Sequence, residues 1–429
     1  MEVDLTDEEA KVLENFGKDL AADSSFKVFD DDLPEDNDDY EPSIIDVRKS
    51  PNDNFWNVRV KNAVGAIRLG DKQLIIQPKI SLSHFSYIAS LAITGGNLRM
   101  LKNNLVSLSS GTSYFEAMAN AYLDLLEDVL KLELVVEYES FEDTLTYARG
   151  KIHPVRTAKN FLKGAPRFDC KFEEFSVDNP VNRILKAAAT QIARSRLCQN
   201  REIQRRSSKM AFRIDGVGQM RPSDLHAKVG RISARHKSAL KIAMEIIGGN
   251  LRILKEGNLH VSSFLQYTPG IIEQGIRQVL SKGLESWASV VKEREYAVDG
   301  NMSFNPDLVF IDKGIAISVD QGPADFGAKI ATGDIKYRRD SKWGKPTLNQ
   351  AVTFAESMAV DTGIVVSFRG IHDEQLPSQK LKGGITIHSS TWVDDENMSP
   401  IDAAADLCRS VAKNLGRPEP SLPKELVLQ

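Results

Sequence analysis

The stretch that decides the fold reads NPDLVFI at residues 305–311 and, after a polar loop, GDIKY at residues 333–337. Asp307 opens an apolar run that is typical of a buried strand. In the second segment the alternation of a strand puts Asp334 and Lys336 on one face, while Ile335 points into the core. The pattern therefore predicts two strands that each bring an acidic side chain to one site.

Two carboxylates and one amine form a minimal set for hydrolysing a phosphodiester. A divalent cation held by oxygen ligands neutralises the phosphate and lowers the pKa of bound water. We expect Asp307 and Asp334 to share Mg²⁺, while the ammonium of Lys336 orients the attacking water or stabilises developing charge. Such pairs are common in α/β proteins, so the flanking elements decide whether the hypothesis of a nuclease centre holds.

Helices and a further strand flank this pair in a definite order. A helix that begins near Ile271 carries Glu273, residues 345–350 lead into a helix with Gln350, and a strand follows at residues 364–368. This order resembles the core of the PD-(D/E)xK nucleases. The resemblance implies that Glu273 is a further metal ligand and that Gln350 joins the catalytic set.

A competing acidic residue lies inside the same stretch. Residues 315–320 also read as a strand ending in a carboxylate, Asp320, and a hairpin turn at residues 312–314 would place it next to Asp307. Asp320 has Gly322 rather than a lysine two residues later. We therefore prefer Asp334 as the second acid and interpret residues 321–332 as a loop or insertion, with Asp320 as the alternative.

Length and composition bound the class of protein. A chain of 429 residues, 41% hydrophobic and 27% charged, predicts a soluble protein of two or three domains. No apolar run approaches the roughly 20 residues that span a bilayer, and the N-terminus is acidic, so we expect a cytoplasmic protein without membrane contact. The three cysteines and seven histidines show no metal-ligand spacing, which argues against zinc chemistry.

Charge is distributed unevenly along the chain, whose net charge is -4. Residues 2–41 are dense in carboxylates, and we interpret residues 1–43 as an acidic, partly disordered extension with a short helix at residues 7–16. A partner-docking or DNA-mimicking role is the alternative. Residues 194–235 are rich in arginine, and we expect DNA phosphate contacts from Arg201, Arg205, Arg206 and Arg213.

Short motifs in the first half of the chain carry a second resemblance. They are GAIRLGD at residues 65–71, IQPKI at residues 76–80, RGKI at residues 149–152 and an acidic-to-helix junction at residues 173–188, where Asp178 or Asn179 caps a helix begun by Pro180. In this order they resemble the McrC subunits of McrBC-type, modification-dependent restriction systems. The resemblance implies that the chain supplies the cleavage centre. It also implies a separate partner, a McrB-like AAA+ GTPase, and a substrate of modified double-stranded DNA.

The absence of a phosphate-binding loop agrees with such a division of labour, because no Gly-x-x-x-x-Gly-Lys-Ser/Thr motif occurs in the sequence. We expect an α/β fold (α+β overall) with a β-rich docking domain at residues 44–165, a helical, basic connecting region at 166–262 and a PD-(D/E)xK restriction-endonuclease-like domain at 263–429. The predicted function is a Mg²⁺-dependent DNA endonuclease subunit. The alternative is a non-catalytic assembly or activator subunit of the same kind of GTPase complex.

Overall fold

The computed structural model describes residues 2–22, 44–50, 55–95, 113–227, 229–247, 251–256, 259–296, 303–313 and 327–420. Contacts divide the chain into two compact units, and the first consists of Met1–Ala121 together with Gly249–Gln429. The second unit is the intervening segment, Tyr122–Gly248. The boundary at residue 121 falls inside helix α3 (Tyr114–Leu132).

In the described residues before α3, the first unit forms five strands and two helices. They are β1 (Glu2–Val3), α1 (Asp7–Ala22), β2 (Ile45–Lys49), β3 (Trp56–Val60), β4 (Ala63–Leu69), β5 (Lys72–Ile76) and α2 (Leu82–Thr94). The order β1-β3-β2 forms one small antiparallel sheet. Helix α1 buries Leu13, Phe16 and Leu20 in a core that also contains Ile45 and Val58.

This packing corrects the expectation of a solvated head for residues 2–22. The predicted helix at residues 7–16 extends to Ala22, because Leu13, Phe16 and Leu20 recur at helical spacing and form one apolar stripe. The first turn carries the acidic side chains of Asp7, Glu8 and Glu9, which interact favourably with the positive N-terminal end of the helix dipole. Residues 23–43, the rest of the predicted extension, lie outside the described residues.

A second sheet joins the two chain segments of the first unit. The returning segment opens with β9 (Leu251–Glu256) and β10 (Leu259–Tyr267), and the sheet order is β5-β4-β10-β9. Gly65 of β4 has φ +147°, and a Cβ there would lie 1.9 Å from the carbonyl oxygen of Phe264. The first glycine of the GAIRLGD motif therefore serves a close approach of two backbones.

The larger sheet of the first unit has six strands, in the order β11-β14-β15-β16-β18-β17. Its elements, with the short pair β12–β13, are α8 (Thr268–Gly283), β11 (Ala288–Val291), β12 (Glu295–Tyr296), β13 (Ser303–Phe304), β14 (Leu308–Asp312), β15 (Lys329–Arg339), α9 (Lys345–Ser357), β16 (Thr362–Arg369), β17 (Gln379–Lys380), β18 (Thr386–Val393) and α10 (Pro400–Asn414). Strands β14 and β15 are antiparallel, whereas β15, β16 and β18 run parallel.

The second unit combines helices with a three-stranded sheet ordered β6-β8-β7. Its elements are β6 (Glu137–Leu145), β7 (Lys151–Ile152), α4 (Pro154–Leu162), β8 (Phe168–Ser176), α5 (Pro180–Arg194), α6 (Arg201–Arg213), a 3-10 turn (Pro222–His226) and α7 (Ala234–Ile247). Asn179 caps α5 by accepting a hydrogen bond from the amide of Asn182 at 3.1 Å. Buried Arg183 makes two 2.9 Å hydrogen bonds to Asp224, which tie α5 to the 3-10 turn.

The mixed α/β class is the one predicted, but the unit boundaries differ from the predicted domains. Residues 63–76 do not form a sheet of their own, since β4 also pairs along its length with β10. The predicted domain boundaries lie at residues 165 and 262, whereas the two compact units meet after residues 121 and 248. Sequence patterns are local, whereas the β4–β10 pairing joins segments nearly two hundred residues apart. Among the described residues no helix is both long and apolar enough to cross a membrane.

Candidate active site

The register of β14 and β15 brings the two predicted acids together. Leu308 pairs with Gly333 in this antiparallel ladder, so Asp307, one residue earlier, lies next to Asp334. The backbone amide of Ile335 donates a 3.0 Å hydrogen bond to Oδ2 of Asp307. This bond fixes the first carboxylate against the strand that carries the second one.

Both carboxyl groups are buried, which shapes their electrostatics. Asp307 is 9% exposed and Asp334 is 3% exposed. Burial, and then the nearby carboxylate of Glu273, raises the pKa of Asp307 to about 7. Burial also raises the pKa of Asp334, although Lys336 opposes the shift. The negative charge of this pair therefore favours the binding of a cation or the sharing of one proton between the two carboxyl groups.

Lys336 lies on the same side of β15 as Asp334, as the alternation predicts. Its Nζ is 3.0 Å from Oδ2 of Asp334 and donates a 2.7 Å hydrogen bond to Oε1 of Gln350. Gln350 is exposed near the start of α9, whereas the side chain of Lys336 is only 15% exposed. The two contacts hold the ammonium at the edge of the acidic pair, where it faces solvent on one side.

Glu273 reaches the site from α8, accompanied by two cations that sequence reasoning missed. Lys292, directly after β11, places Nζ 3.3 Å from Oε2 of Glu273 and 3.9 Å from Oδ1 of Asp307. Arg277 donates a 2.8 Å hydrogen bond from Nε to the backbone oxygen of Asp307. The position of Arg277 four residues after Glu273 was a usable signal, because i and i+4 side chains share a helix face. Nothing in the local pattern marked Lys292.

The donor set fits Mg²⁺ through two carboxylates. Oδ2 of Asp334 is buried, and the ammonium of Lys336 lies 3.0 Å from it. No group of three acidic, histidine or cysteine side chains among the described residues is arranged to enclose a metal ion. Mg²⁺ does not require such a cage, because it keeps several waters and binds through one or two carboxylates plus substrate phosphate. Asp307 and Asp334 satisfy that requirement, and Glu273 is held by Lys292 instead.

The alternative second acid, Asp320, lies outside the described residues, as does the predicted strand at residues 315–320. The structure therefore shows Asp334 beside Asp307 and gives no position for Asp320.

The predicted DNA-contacting arginines lie on α6, in the second unit. Arg201, Arg205 and Arg213 are exposed. Arg206 is not a free phosphate ligand, because its guanidinium lies 2.6 Å from Asp124 and 3.0 Å from Glu127. Helical geometry turns this one arginine toward α3, where its guanidinium forms an intramolecular ion pair.

Comparison with known proteins gives one family and one fold. The profile of the McrBC 5-methylcytosine restriction system component family matches residues 58–319, more than half of the chain. The comparison with curated proteins gave no match.

Two solved structures are similar to the fold. The first is a refined half-complex of a tetradecameric assembly of Thermococcus gammatolerans McrB AAA+ hexamers with bound McrC: TM-score 0.65, 16% identity, covering 94% of this chain and 93% of the other. The second is the Thermococcus gammatolerans McrBC complex: TM-score 0.46, 18% identity, covering 64% of this chain and 82% of the other. The first likeness extends over almost the whole chain and supports the mixed α/β fold.

Proposed function

The chain belongs to the family of McrBC 5-methylcytosine restriction system components, and on that premise we propose that it is the DNA-cleaving subunit of a McrBC-like complex. The reaction is Mg²⁺-dependent hydrolysis of phosphodiester bonds in modified double-stranded DNA. The observation that carries the proposal is the buried pair Asp307–Asp334 with Lys336 on its open side. The order of elements around it, α8, β14, β15, α9 and β16, is the order on which the PD-(D/E)xK resemblance rests.

Each residue of the pair has a separable task. Asp307 and Asp334 would hold the cation, whose charge would neutralise the scissile phosphate and lower the pKa of a bound water. The amide of Ile335 keeps Asp307 oriented, so the ligand needs little rearrangement on binding. Lys336, positioned by Gln350, donates hydrogen bonds to the phosphate oxygen or to the attacking water.

The proposed partner is an AAA+ GTPase of the McrB kind, which supplies recognition and movement of DNA. The sequence has no phosphate-binding loop of its own, so nucleotide hydrolysis must come from another chain. The solved assembly similar to this fold contains McrB AAA+ hexamers with bound McrC. GTP hydrolysis by the partner then brings DNA to the Asp307–Asp334 centre.

Cleavage of 5-methylcytosine-containing plasmid by the chain together with its GTPase, Mg²⁺ and GTP tests the proposal. We expect the Asp334→Asn variant to lose about a hundredfold or more of this activity, because an amide neither carries charge nor replaces a carboxylate ligand. Asp71→Asn, at an exposed turn between β4 and β5, is the matched control and should cleave like the unchanged protein.

Two results separate the nuclease from the alternative of a non-catalytic activator. If Asp334→Asn supports full cleavage, the centre is not at Asp334. If no combination cleaves DNA while the chain still accelerates GTP hydrolysis by the partner, the activator reading is correct.

A further inference from the structure

Lys292 lies at the acidic centre although no local pattern singles it out. Lys292 directly follows β11. Because Val291 pairs with Val309 in the antiparallel β11–β14 ladder, Lys292 lies near the start of β14, beside Asp307. Its ammonium lies 3.3 Å from Oε2 of Glu273 and 3.9 Å from Oδ1 of Asp307. One positive charge therefore bridges the carboxylates of a helix and a strand.

The two lysines of the centre lie against different carboxylates. Lys336 contacts Asp334 at 3.0 Å, whereas Lys292 contacts Glu273 and Asp307. Oδ2 of Asp334 faces the ammonium of Lys336, and Oδ2 of Asp307 accepts the hydrogen bond from the amide of Ile335. Three carboxylates are thus shared between two tethered cations, and the oxygens facing Lys292 are those a second metal ion would need.

Two-metal nuclease centres place their ions roughly 3.5–4 Å apart, with carboxylates bridging or flanking both. We infer, resting on the proposed nuclease function, that Lys292 occupies the position of the second ion, so that this centre binds a single Mg²⁺ through Asp307 and Asp334. Glu273 then serves as the anchor of Lys292 and not as a metal ligand. This assignment agrees with the arrangement of the described residues, in which no three ligand side chains enclose one point.

Electrostatics explains why the lysine excludes a second ion. An ion binding to the oxygens of Glu273 and Asp307 that face Lys292 would meet the positive charge of the ammonium there. Water would screen this repulsion only in part, because Asp307 and Asp334 are buried. The lysine is covalently tethered, so it competes with the ion without a loss of translational freedom. Its side chain is 49% exposed, which means that an uncharged replacement leaves no buried cavity.

Counting bound Mn²⁺ ions tests the inference without any measurement of cleavage. Mn²⁺ is titrated into the full chain at pH 8, with free ion measured by electron paramagnetic resonance and heat by calorimetry. The unchanged protein should saturate at one ion per chain. Lys292→Met should bind a second ion, with an affinity for that ion about tenfold or more above that of the unchanged protein. Lys292→Arg keeps the charge and should remain at one ion.

Lys313→Met is the matched control. This exposed lysine donates a hydrogen bond to the backbone oxygen of Glu285, away from the acidic pair, and its loss should leave one ion bound. Two ions on the unchanged protein, or one ion on Lys292→Met, would overturn the role of Lys292 while leaving the nuclease proposal intact. No bound ion on any of the proteins would instead overturn the metal centre itself, and the inference with it.

Discussion

Asp307 shows at the scale of one residue what it costs to bury the acidic pair. Its carboxyl is buried against Glu273 and Asp334, and the amide of Ile335 compensates only part of the cost. A carboxyl whose folded pKa lies above its usual value of 3.8 binds more protons in the folded state than in the unfolded state. Ionisation of Asp307 therefore destabilises the protein in the absence of metal.

The sign of this effect gives a pH prediction. Without Mg²⁺, the contribution of Asp307 to the free energy of unfolding should fall as pH rises from about 4 to about 7, the pKa of the folded state. Mg²⁺ binds the ionised form, so it should raise the melting temperature more at pH 8 than at pH 5.5. For a chain of this size an effect of about 1 kcal/mol corresponds to roughly 1–2 °C.

Thermal unfolding at the two pH values, with and without Mg²⁺, measures this difference. Asp307→Asn removes the titrating group, and the stabilisation by Mg²⁺ should then be small and similar at both pH values. Equal stabilisation of the unchanged protein at pH 5.5 and pH 8 would contradict the assignment of Asp307 as a metal ligand.

At the scale of elements, the pairing of β4 with β10 is one of the contacts that join the two segments of the first unit. Leu265 pairs with Gly65, and the backbone of β10 passes so close that any Cβ at residue 65 would collide with the carbonyl of Phe264. The pairing also buries Ile67 and Leu69 with Val261 in one core. The motif GAIRLGD is therefore a structural element of the same unit that carries the acidic pair.

Gly65→Ala tests the importance of this approach. We expect a loss of about 2 kcal/mol or more in the free energy of unfolding, because the collision involves backbone that cannot rotate away and φ is unfavourable for alanine. Gly383→Ala is the matched control, since a Cβ there has no neighbour within 4 Å. Urea denaturation followed by circular dichroism measures both variants, and equal midpoints for the two would refute the argument.

At the scale of the whole molecule, the uneven charge determines how the chain meets DNA. The net charge is -4, yet helix α6 exposes Arg201, Arg205 and Arg213. Binding through such side chains is attraction to phosphates without base readout, and it weakens as salt rises. We therefore expect the isolated chain to bind DNA weakly and without sequence preference.

Replacing Arg201, Arg205 and Arg213 together with alanine should lower DNA affinity equally for all sequences. Each lost phosphate contact reduces the slope of log K against log salt by roughly 0.9, so the slope should fall by up to about 2.7. Fluorescence anisotropy with labelled duplex at several salt concentrations measures the slope.

Arg206→Ala is the contrasting variant, because its guanidinium is already paired with Asp124 and Glu127. It should lower stability and leave the salt slope unchanged. A slope that responds to Arg206→Ala but not to the triple variant would exclude Arg201, Arg205 and Arg213 as the phosphate contacts.

Local patterns in the sequence determined several features by themselves. The alternation around Ile335 put Asp334 and Lys336 on one face, and the polar cap at Asn179 followed by Pro180 marked the start of α5. The apolar stripes identified α8, the helix that carries Glu273, and α9, the helix that carries Gln350. Each of these features depends on residues within one or two turns or one strand, so their spacing is visible in the sequence.

Only the tertiary structure decided the features that depend on distant residues. Lys292 joins the acidic centre through the β11–β14 register, and Arg206 turns away from solvent because α3 presents two carboxylates to it. The burial that raises the pKa of Asp307 comes from α8 and β15 together. Residues 63–76 share a unit with the acidic pair because β4 pairs with β10 across nearly two hundred residues. Sequence periodicity reports which face of an element is apolar, whereas the partner of that face is chosen by packing of the whole chain.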